Sequence, residues 1–222
     1  MKKKILFVVS NTNIIGPQNR RTGNLLPEVA HPYEAFKKEG YDIDIFSIKG
    51  GDAPIELVEL EDPINLTFLK GEGPEKFKNS SSIKDVSIDG YDAVFVPGGL
   101  GPVVDMPDNE GIQKILAGMY ESGKVVSAVC HGPVCLINVK LSDGSYLVDG
   151  KNVTGFSITE EFDYARYDVP FELEGALKDR GAKYTCITPW QPYSITDGRL
   201  VTGQNPASAQ GVAQRVITIL ES

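Results

Sequence analysis

Short apolar runs alternate with amphipathic stretches along most of the chain. The first run, Lys4–Val9, is rich in branched residues and predicts a buried strand. Residues 25–39 carry apolar side chains at helical spacing, and Gly40 follows them, as is typical just beyond a helix. Residues 41–48 alternate between apolar and polar positions and predict a second strand. A strand, a helix and a further strand form the repeating unit of a parallel sheet.

The alternation is interrupted once and then returns. Residues 50–89 predict loops with one or two short helices, which we interpret as an irregular insertion over one edge of the sheet. Near the other end, residues 193–196 and 199–202 flank Asp197-Gly198, a pair that favours a hairpin. Further strands are predicted over residues 91–96, 124–129, 151–154 and 183–187, and helices over residues 109–122, 131–139, 171–180 and 206–220.

Such alternation predicts an α/β fold, a three-layer sandwich with a mostly parallel, flavodoxin-like central sheet. No internal repeat, low-complexity tract or linker divides the chain, so we expect a single domain over residues 1–222. The apolar run after the three initial lysines covers only residues 5–9, which is too short for a signal peptide. No stretch approaches the roughly 20 apolar residues of a membrane span. The expected location is therefore the cytoplasm, without a membrane partner.

Composition and charge exclude several classes of protein. The 222 residues carry a formal net charge of -8, whereas a nucleic-acid-binding protein is expected to show a clustered basic face. Two histidines are too few for a His-rich metal cage, and we expect no metal. Three cysteines are too few for a disulfide scaffold and leave at least one free thiol.

One cysteine lies where chemistry is expected in a parallel sheet, beyond the carboxyl end of a strand. The predicted strand 124–129 is followed by Cys130, His131 and Gly132, the pattern of a nucleophile elbow between a strand and a helix. A helix N-terminus would favour the thiolate. A buried, inert strand-end cysteine is the alternative interpretation, but the elbow pattern favours a reactive Cys130.

The other candidate residues divide into site and structural groups. Gly98 and Gly99 follow the strand 91–96 and fit a backbone nest whose N–H groups face an oxyanion, although a plain glycine turn has the same pattern. His131 need not contact the thiol as a base and could pair with a carboxylate from another element. We interpret Cys135, Cys186 and His31 as structural residues. Five residues along the predicted helix separate Cys135 from Cys130, which places their Cα atoms too far apart for an unstrained disulfide. Cys186 is expected within a core strand, and His31 as a packing residue.

These residues carry a family resemblance. The segment Ala-Val-Cys130-His131-Gly132-Pro133 after a buried strand resembles the ThiJ/PfpI superfamily, which has the class I glutamine amidotransferase-like fold. The segment from Pro189-Trp190 to Ala209 resembles one branch, the heat-shock chaperone and glyoxalase III proteins, also described as glutathione-independent glyoxalases and deglycases. Residues 22–32 and 153–161 resemble the first-helix and acidic segments of that branch.

The resemblance implies roles for single residues. Cys130 would be the nucleophile and His131 its neighbour in a triad completed by an acid of the Glu160-Glu161 pair, for which we favour Glu161. Glu28 would be a protonated helix acid beside the thiol, and its apolar neighbours agree with a raised pKa. The Gly98 and Gly99 nest would be the oxyanion site. The chain departs from the branch at Leu100, where a histidine is usual.

The resemblance also implies an activity that needs no cofactor. The expected enzyme converts methylglyoxal-like 2-oxoaldehydes to 2-hydroxy acids, with deglycase action on glycated proteins as a variant. The alternatives are a stress-responsive holdase or redox sensor using Cys130, which would bind unfolded proteins, and a cysteine peptidase. An amidase is excluded because no histidine follows His131. Family members often form homodimers, so we expect one here.

Overall fold

The computed structural model describes residues 2–222 and has a mixed α/β secondary structure. The strands are β1 (Lys4–Val9), β2 (Ile14–Ile15), β3 (Arg20–Arg21), β4 (Asn24–Leu25), β5 (Asp42–Ser47), β6 (Ile55–Glu56), β7 (Ser81–Ser82), β8 (Ala93–Val96), β9 (Val125–Val129), β10 (Asn152–Val153), β11 (Lys183–Tyr184), β12 (Ser194–Asp197) and β13 (Leu200–Gly203). The α-helices are α1 (Leu26–Lys38), α2 (Pro63–Lys70), α3 (Gly73–Lys78), α4 (Gly101–Asp105), α5 (Glu110–Glu121), α6 (Ile158–Tyr164), α7 (Leu173–Asp179) and α8 (Ala209–Glu221). Short 3-10 turns cover Ile83–Asp85, Ile88–Gly90, Gly132–Leu136 and Pro206–Ser208.

Seven strands form the central sheet, in the order β12-β13-β9-β8-β1-β5-β7. Every neighbouring pair is parallel except β12 and β13, which form the hairpin that Asp197-Gly198 predicts. In that hairpin Asp197 pairs with Leu200, and Gly198 takes a φ of 60° in the turn. The expected mostly parallel α/β sheet is therefore confirmed.

Helices cover both faces of this sheet. The chain steps from β1 through α1 to β5 in one direction along the sheet, and from β8 through α5 to β9 in the other. Because crossovers between parallel strands are right-handed, opposite steps place α1 and α5 on opposite faces. The C-terminal helix α8 packs beside α1. The result is a three-layer sandwich, as the sequence predicts.

The core is one continuous cluster of buried apolar side chains. The residues of β1 from Ile5 to Val9 are fully buried, because a central parallel strand is covered on both faces. Phe7 packs against Phe36 of α1 and Phe95 of β8, with ring centroids 6.1 Å and 4.9 Å away. This packing fixes α1 against the central sheet.

Residues 50–89 are attached to the sheet and to the core. They contain α2, α3 and the edge strand β7, which pairs with β5. Phe68 and Phe77 are buried, and the ring of Phe68 contacts Tyr33 of α1 at 5.2 Å. The sequence pattern did not indicate an edge strand, because two serines carry no apolar signal.

Several predicted elements differ from the structure. The predicted helix over residues 131–139 is wrong, since Gly132–Leu136 is a 3-10 turn. The predicted strands over 151–154 and 183–187 are shortened to β10 and β11, which pair with each other outside the central sheet. The sequence pattern also missed α4 and α6, which are short and open next to polar or glycine residues.

Cys186 is a further correction. It was expected inside a core strand, but it lies beyond the end of β11 and is exposed. Cys135 is buried, as expected of a structural cysteine, and all three cysteines are free thiols. In the part of the chain from residue 2 onward, no helix is long and apolar enough to cross a membrane.

Candidate active site

Cys130 lies immediately after β9, next to the loop that follows β8. Its backbone has a φ of 60°, a left-handed conformation that is strained for a residue with a side chain. Two hydrogen bonds hold this conformation: the Cys130 N–H donates to Gly203 O at 2.9 Å, and the Phe156 N–H donates to Cys130 O at 2.8 Å. The chain thus makes the elbow that the sequence predicts.

The elbow requires small residues around it. A Cβ atom on Gly132 would lie 2.5 Å from Val96 O, so only glycine allows the two strand ends to approach this closely. The turn after the elbow is 3-10 rather than a helix, and it is short. The expected helix N-terminus behind the thiol is therefore absent, and other groups must set the properties of Cys130.

His131 connects the thiol to a carboxylate. Its Nδ1 lies 3.5 Å from Cys130 Sγ, and its Nε2 forms a 2.7 Å hydrogen bond with Glu161 Oε2. Both the His131 and Glu161 side chains are buried. The Phe156 ring covers the imidazole, with centroids 4.2 Å apart. The imidazole is thus held between sulfur and carboxylate, in the arrangement of a nucleophile, a base and an orienting acid.

The two acids of the Glu160-Glu161 pair lie on helix α6 and contact different neighbours. Ser157 caps the helix: its side chain accepts from the Glu160 N–H, and the Glu160 carboxylate accepts from the Ser157 N–H. Glu160 points into a different network, with Gln204 and Asn205 donating to its oxygens at 3.1 Å and 2.8 Å. Glu161 is therefore the acid that contacts His131.

Glu28 approaches the thiol from α1. It is fully buried, and its Oε2 accepts a 2.7 Å hydrogen bond from the Gly98 N–H, while Oε1 has no conventional partner. Burial raises its pKa from 4.5 to about 8, despite hydrogen bonds from Cys130 and Gly98 that lower it. The charge of Glu56 adds to the increase. At neutral pH the carboxyl group is mostly protonated.

The pKa of Cys130 is also raised. Burial is the main cause, and the neighbouring Glu28 charge and its hydrogen bond add to it. Backbone N–H groups of His131 and Gly99 face the sulfur and oppose this shift. Two acids in contact in a dry site titrate as one unit, so the first proton lost belongs to the Cys130–Glu28 pair.

The two glycines of the nest have different geometries. The Gly98 N–H donates to Glu28, whereas the Gly99 N–H faces the Cys130 sulfur. Gly99 has a φ of 86°, and a Cβ there would lie 2.4 Å from Gly23 O. Of the two N–H groups, only that of Gly99 is available to an oxyanion formed beside Cys130. Leu100, in place of the expected histidine, is buried and is not part of the pocket lining.

A pocket of about 200 Å³ opens above Cys130. Most of its walls carry no recognisable sequence pattern, because they come from separate loops and helices. The signal for one of them was the single tryptophan of the chain, within the segment that carries the resemblance. Its lining comprises Leu25, Val58, Glu59, Gly99, Cys130, His131, Phe156, Tyr164, Trp190 and Pro206.

The remaining candidates lie elsewhere. His31 contacts Asp62 at 3.2 Å, between α1 and the start of α2, which agrees with a structural role. Within residues 2–222, no group of three or more His, Cys, Asp or Glu side chains is arranged to hold a metal ion. Cys130, His131, Glu161 and Glu28 are thus the candidates that the fold brings together.

A parallel α/β sheet with a strained cysteine at a strand end, beside a buried glutamate, defines the class of protein. The chain belongs to the DJ-1/PfpI family, whose sequence profile matches residues 26–219. The fold and the elbow described above are those expected from the ThiJ/PfpI resemblance.

Within this family, the chain is similar to several particular proteins over its whole length. The chain is 34% identical over 239 aligned residues to the glutathione-independent glyoxalase HSP31 of Saccharomyces cerevisiae, covering 100% of this chain and 99% of the relative. It superposes on the crystal structure of glyoxalase III from Candida albicans with a TM-score of 0.87 and 30% identity, covering 97% and 96% of the two chains. The Francisella tularensis Rapid Encystment Protein 24 kDa matches with a TM-score of 0.93 and 39% identity, covering 98% and 99%.

Proposed function

We propose that this protein is a glutathione-independent glyoxalase, which converts methylglyoxal and similar 2-oxoaldehydes to 2-hydroxy acids. The proposal is supported by relatives with this activity in their names that match the whole chain. The observation that carries it is the position of Cys130, between the buried Glu28 carboxyl group and the His131–Glu161 pair. In the proposed site these four residues are catalytic and Gly99 serves the oxyanion.

The first proposed step forms a bond between sulfur and the substrate. Cys130 Sγ attacks the aldehyde carbon, and the thiol proton passes to His131 Nδ1, 3.5 Å from the sulfur. The developing alkoxide accepts hydrogen bonds from the N–H groups of Gly99 and His131, which face the sulfur. The alkoxide then takes the proton from His131, and the product is a hemithioacetal.

The second step moves a proton between two carbons. The Glu28 carboxylate removes the hydrogen of the hemithioacetal carbon, which gives an enediolate, and then returns this proton to the neighbouring carbon. The hydroxyl proton of the first carbon passes to the oxygen of the second. A pKa of about 8 makes both forms of Glu28 accessible near neutral pH. The aldehyde carbon is oxidised and the ketone carbon is reduced, so no external oxidant or reductant is needed. The product is a thioester on Cys130.

Water completes the reaction. His131, oriented by Glu161, takes a proton from a water molecule that attacks the thioester carbonyl. The carbon–sulfur bond breaks, lactate leaves, and the proton returns to the Cys130 sulfur. Overall, one methylglyoxal and one water give one lactate and one proton. The Cys130 thiol takes the part that glutathione would otherwise play, so no cofactor is proposed.

A holdase activity is the second candidate. Around α6, Ile158 and Phe162 expose 44% and 61% of their surface, which gives an unfolded or glycated protein an apolar contact. Suppression of client aggregation by Cys130→Ala as well as by the wild type would establish this role as independent of the glyoxalase chemistry. A homodimer, expected from the resemblance, and a cytoplasmic location, expected from the hydropathy pattern of the sequence, remain proposals.

Lactate formation tests the primary proposal. Purified protein is incubated with methylglyoxal without any thiol, and lactate is measured enzymatically. The expected result is lactate formation that added glutathione does not increase and that Cys186→Ala, which removes the exposed thiol, retains. Lactate formation that requires glutathione, or none at all, would overturn the proposal.

A further inference from the structure

Backbone strain is concentrated around the pocket. Among residues 2–222, four non-glycine residues have a positive φ, and three of them line the pocket: Glu59 at 50°, Cys130 at 60° and Trp190 at 65°. Such a conformation is strained for a residue with a side chain and persists only where the surrounding structure imposes it. The strain at Cys130 belongs to the elbow. The strained backbone of Trp190 lies outside the elbow and has a separate physical cause.

Glu160 holds Trp190 in this conformation. Its Oε1 accepts a 2.7 Å hydrogen bond from the Trp190 N–H and a 2.8 Å bond from Asn205 Nδ2. Its Oε2 accepts hydrogen bonds from Ser157 Oγ at 2.6 Å and Gln204 Nε2 at 3.1 Å. The Glu160 side chain is almost completely buried, so each of these bonds acts in a dry environment. Four partners thus fix the carboxylate, and the carboxylate fixes the backbone of Trp190.

The Trp190 indole forms part of an aromatic wall beside Cys130. It packs edge-on against Phe156, with centroids 5.6 Å apart, and against Tyr164, with centroids 6.1 Å apart. We call these three residues the aromatic wall. Trp190 remains 46% exposed, so part of its indole is free to contact a ligand. Apart from Glu59 and the reacting groups, the other side chains of the lining are aliphatic or aromatic.

The proposed function determines which part of a substrate meets this wall. When Cys130 attacks the aldehyde carbon, the substituent on the adjacent ketone carbon must occupy the remaining pocket. A methyl group contacts little of the wall, whereas a planar ring covers it and removes its apolar surface from water. The pocket volume of about 200 Å³ gives room for more than a three-carbon aldehyde.

We propose that Trp190 is a specificity-determining residue, that the aromatic wall favours 2-oxoaldehydes with an aryl substituent over methylglyoxal, and that Glu160 is the positioning residue for Trp190. The proposal rests on the glyoxalase function proposed above. It assigns different tasks to the two neighbouring acids of α6: Glu161 acts with His131, whereas Glu160 shapes the pocket.

Comparing two substrates tests the wall. Mandelate formation is followed with phenylglyoxal as the substrate, and lactate formation is followed with methylglyoxal. The value of kcat/KM is obtained for each substrate. The wild type is expected to prefer phenylglyoxal, and Trp190→Ala to reduce the ratio of the two kcat/KM values about tenfold. Tyr167→Ala is the matched control, because Tyr167 is an aromatic residue 75% exposed and outside the pocket lining. An unchanged ratio in Trp190→Ala would overturn the proposal.

Glu160→Gln tests the positioning role. The two carboxylate oxygens of Glu160 accept all of these hydrogen bonds, whereas glutamine has a single acceptor oxygen. We therefore expect Glu160→Gln to weaken the hydrogen bonding that positions Trp190. A merely structural effect would lower both activities in proportion. We instead expect the substrate ratio to fall as in Trp190→Ala, with a shift in the fluorescence of the single tryptophan. An unchanged substrate ratio and fluorescence spectrum in folded Glu160→Gln would contradict the positioning role of Glu160. If Glu160→Gln does not fold, the Trp190→Ala variant still tests the aromatic wall.

A binding measurement separates the wall from the chemistry. Acetophenone, an aryl ketone without an aldehyde, is titrated into Cys130→Ala while Trp190 fluorescence is recorded. Saturable quenching is expected and supports the wall even if the wild type turns over neither aldehyde, an outcome that would overturn the glyoxalase function alone. Absence of saturable quenching would contradict the wall, whatever the lactate assay gives.

Discussion

Burial sets the chemistry of individual residues in this site. The thiol of Cys130 and the carboxyl group of Glu28 each have a raised pKa, chiefly because both are removed from water. They also face each other, so charging one disfavours charging the other. The N–H groups of Gly98, Gly99 and His131 offset part of this penalty at fixed positions. Near neutral pH the carboxyl group is therefore mostly protonated, and the thiol beside it also keeps its proton.

The raised pKa of Glu28 predicts how stability depends on pH. In the unfolded chain the carboxyl group ionises near 4.5, and in the folded protein near 8. Between pH 4.5 and about pH 8 the folded state therefore binds more protons than the unfolded chain. The stabilisation from Glu28 is fully present below pH 4.5 and is lost as the pH rises through about 8. The loss in this window is roughly 1.4 kcal/mol per pH unit. Glu28→Gln lacks this titration, so we expect its stability relative to the wild type to increase from pH 4.5 to 8.

Urea unfolding at several pH values measures this difference. Glu39→Gln is the control for removing one carboxylate, because Glu39 is exposed at the end of α1. A constant difference between Glu28→Gln and the wild type across the window would show that the folded-state pKa of Glu28 is not raised.

The residues with reactive groups could be predicted from the sequence, but the pocket walls could not. Cys130 and His131 stand together at a strand end, and the resemblance implied Glu28 and Glu161, which the fold brings beside them. Their catalytic roles stay predictions. Trp190 lies within the segment that carries the resemblance, but neither it nor Tyr164 could be placed beside Cys130, because their proximity depends on how α6 and a distant loop meet over the sheet.

At the level of elements, the short helix α6 determines where two adjacent acids point. Consecutive residues on a helix are about 100° apart, so Glu160 and Glu161 face different neighbours. The capping box at Ser157 fixes where this helix begins. A change at the cap is therefore expected to disturb His131 through Glu161.

Ser157→Ala tests this connection. Loss of the cap is expected to reduce the free energy of unfolding by about 1 kcal/mol and to lower kcat for methylglyoxal. Asn109→Ala removes the cap of α5, where Asn109 accepts from the Gly111 and Ile112 N–H groups, at a distance from the site. The control is expected to lose similar stability while keeping kcat. Equal kcat values for both variants would contradict the proposed link between cap and catalysis.

The periodic pattern predicted long elements better than short ones. Strands β1, β5, β8 and β9 and helices α1, α5 and α8 lie close to their predicted bounds, because each buries a continuous apolar stripe. Residues 183–187 have an apolar pattern, but only Lys183–Tyr184 pair with a neighbouring strand. The turn after Cys130 is tightened by packing between strand ends, which periodicity does not encode.

At the scale of the molecule, residues 50–89 share the core of the sheet. Phe68 is completely buried between Tyr33 of α1 and Phe77 of α3, with centroids 5.2 Å and 5.9 Å away. Helix α1 also carries Glu28, so this packing supports the position of the acid from behind. The arrangement favours one cooperative unit over a sheet with an independent insertion.

Phe68→Ala tests whether the molecule unfolds as one unit. Removing this ring is expected to cost about 3–5 kcal/mol. If there is one core, the unfolding transitions seen by far-ultraviolet circular dichroism and by Trp190 fluorescence move together. Leu60→Ala, in the same segment but 49% exposed, is expected to change stability little. A fluorescence transition that stays in place while the dichroism transition moves would indicate a separate unit.

The most direct test of the account is the rate of lactate formation from methylglyoxal, without glutathione, by Cys130→Ala and Glu28→Gln beside the wild type. Loss of the nucleophile is expected to reduce kcat at least about a thousandfold, and loss of the proton carrier about a hundredfold or more. Both variants are expected to keep the fold, which circular dichroism checks. Wild-type kcat in either folded variant would contradict a reaction that runs through the Cys130–Glu28 pair.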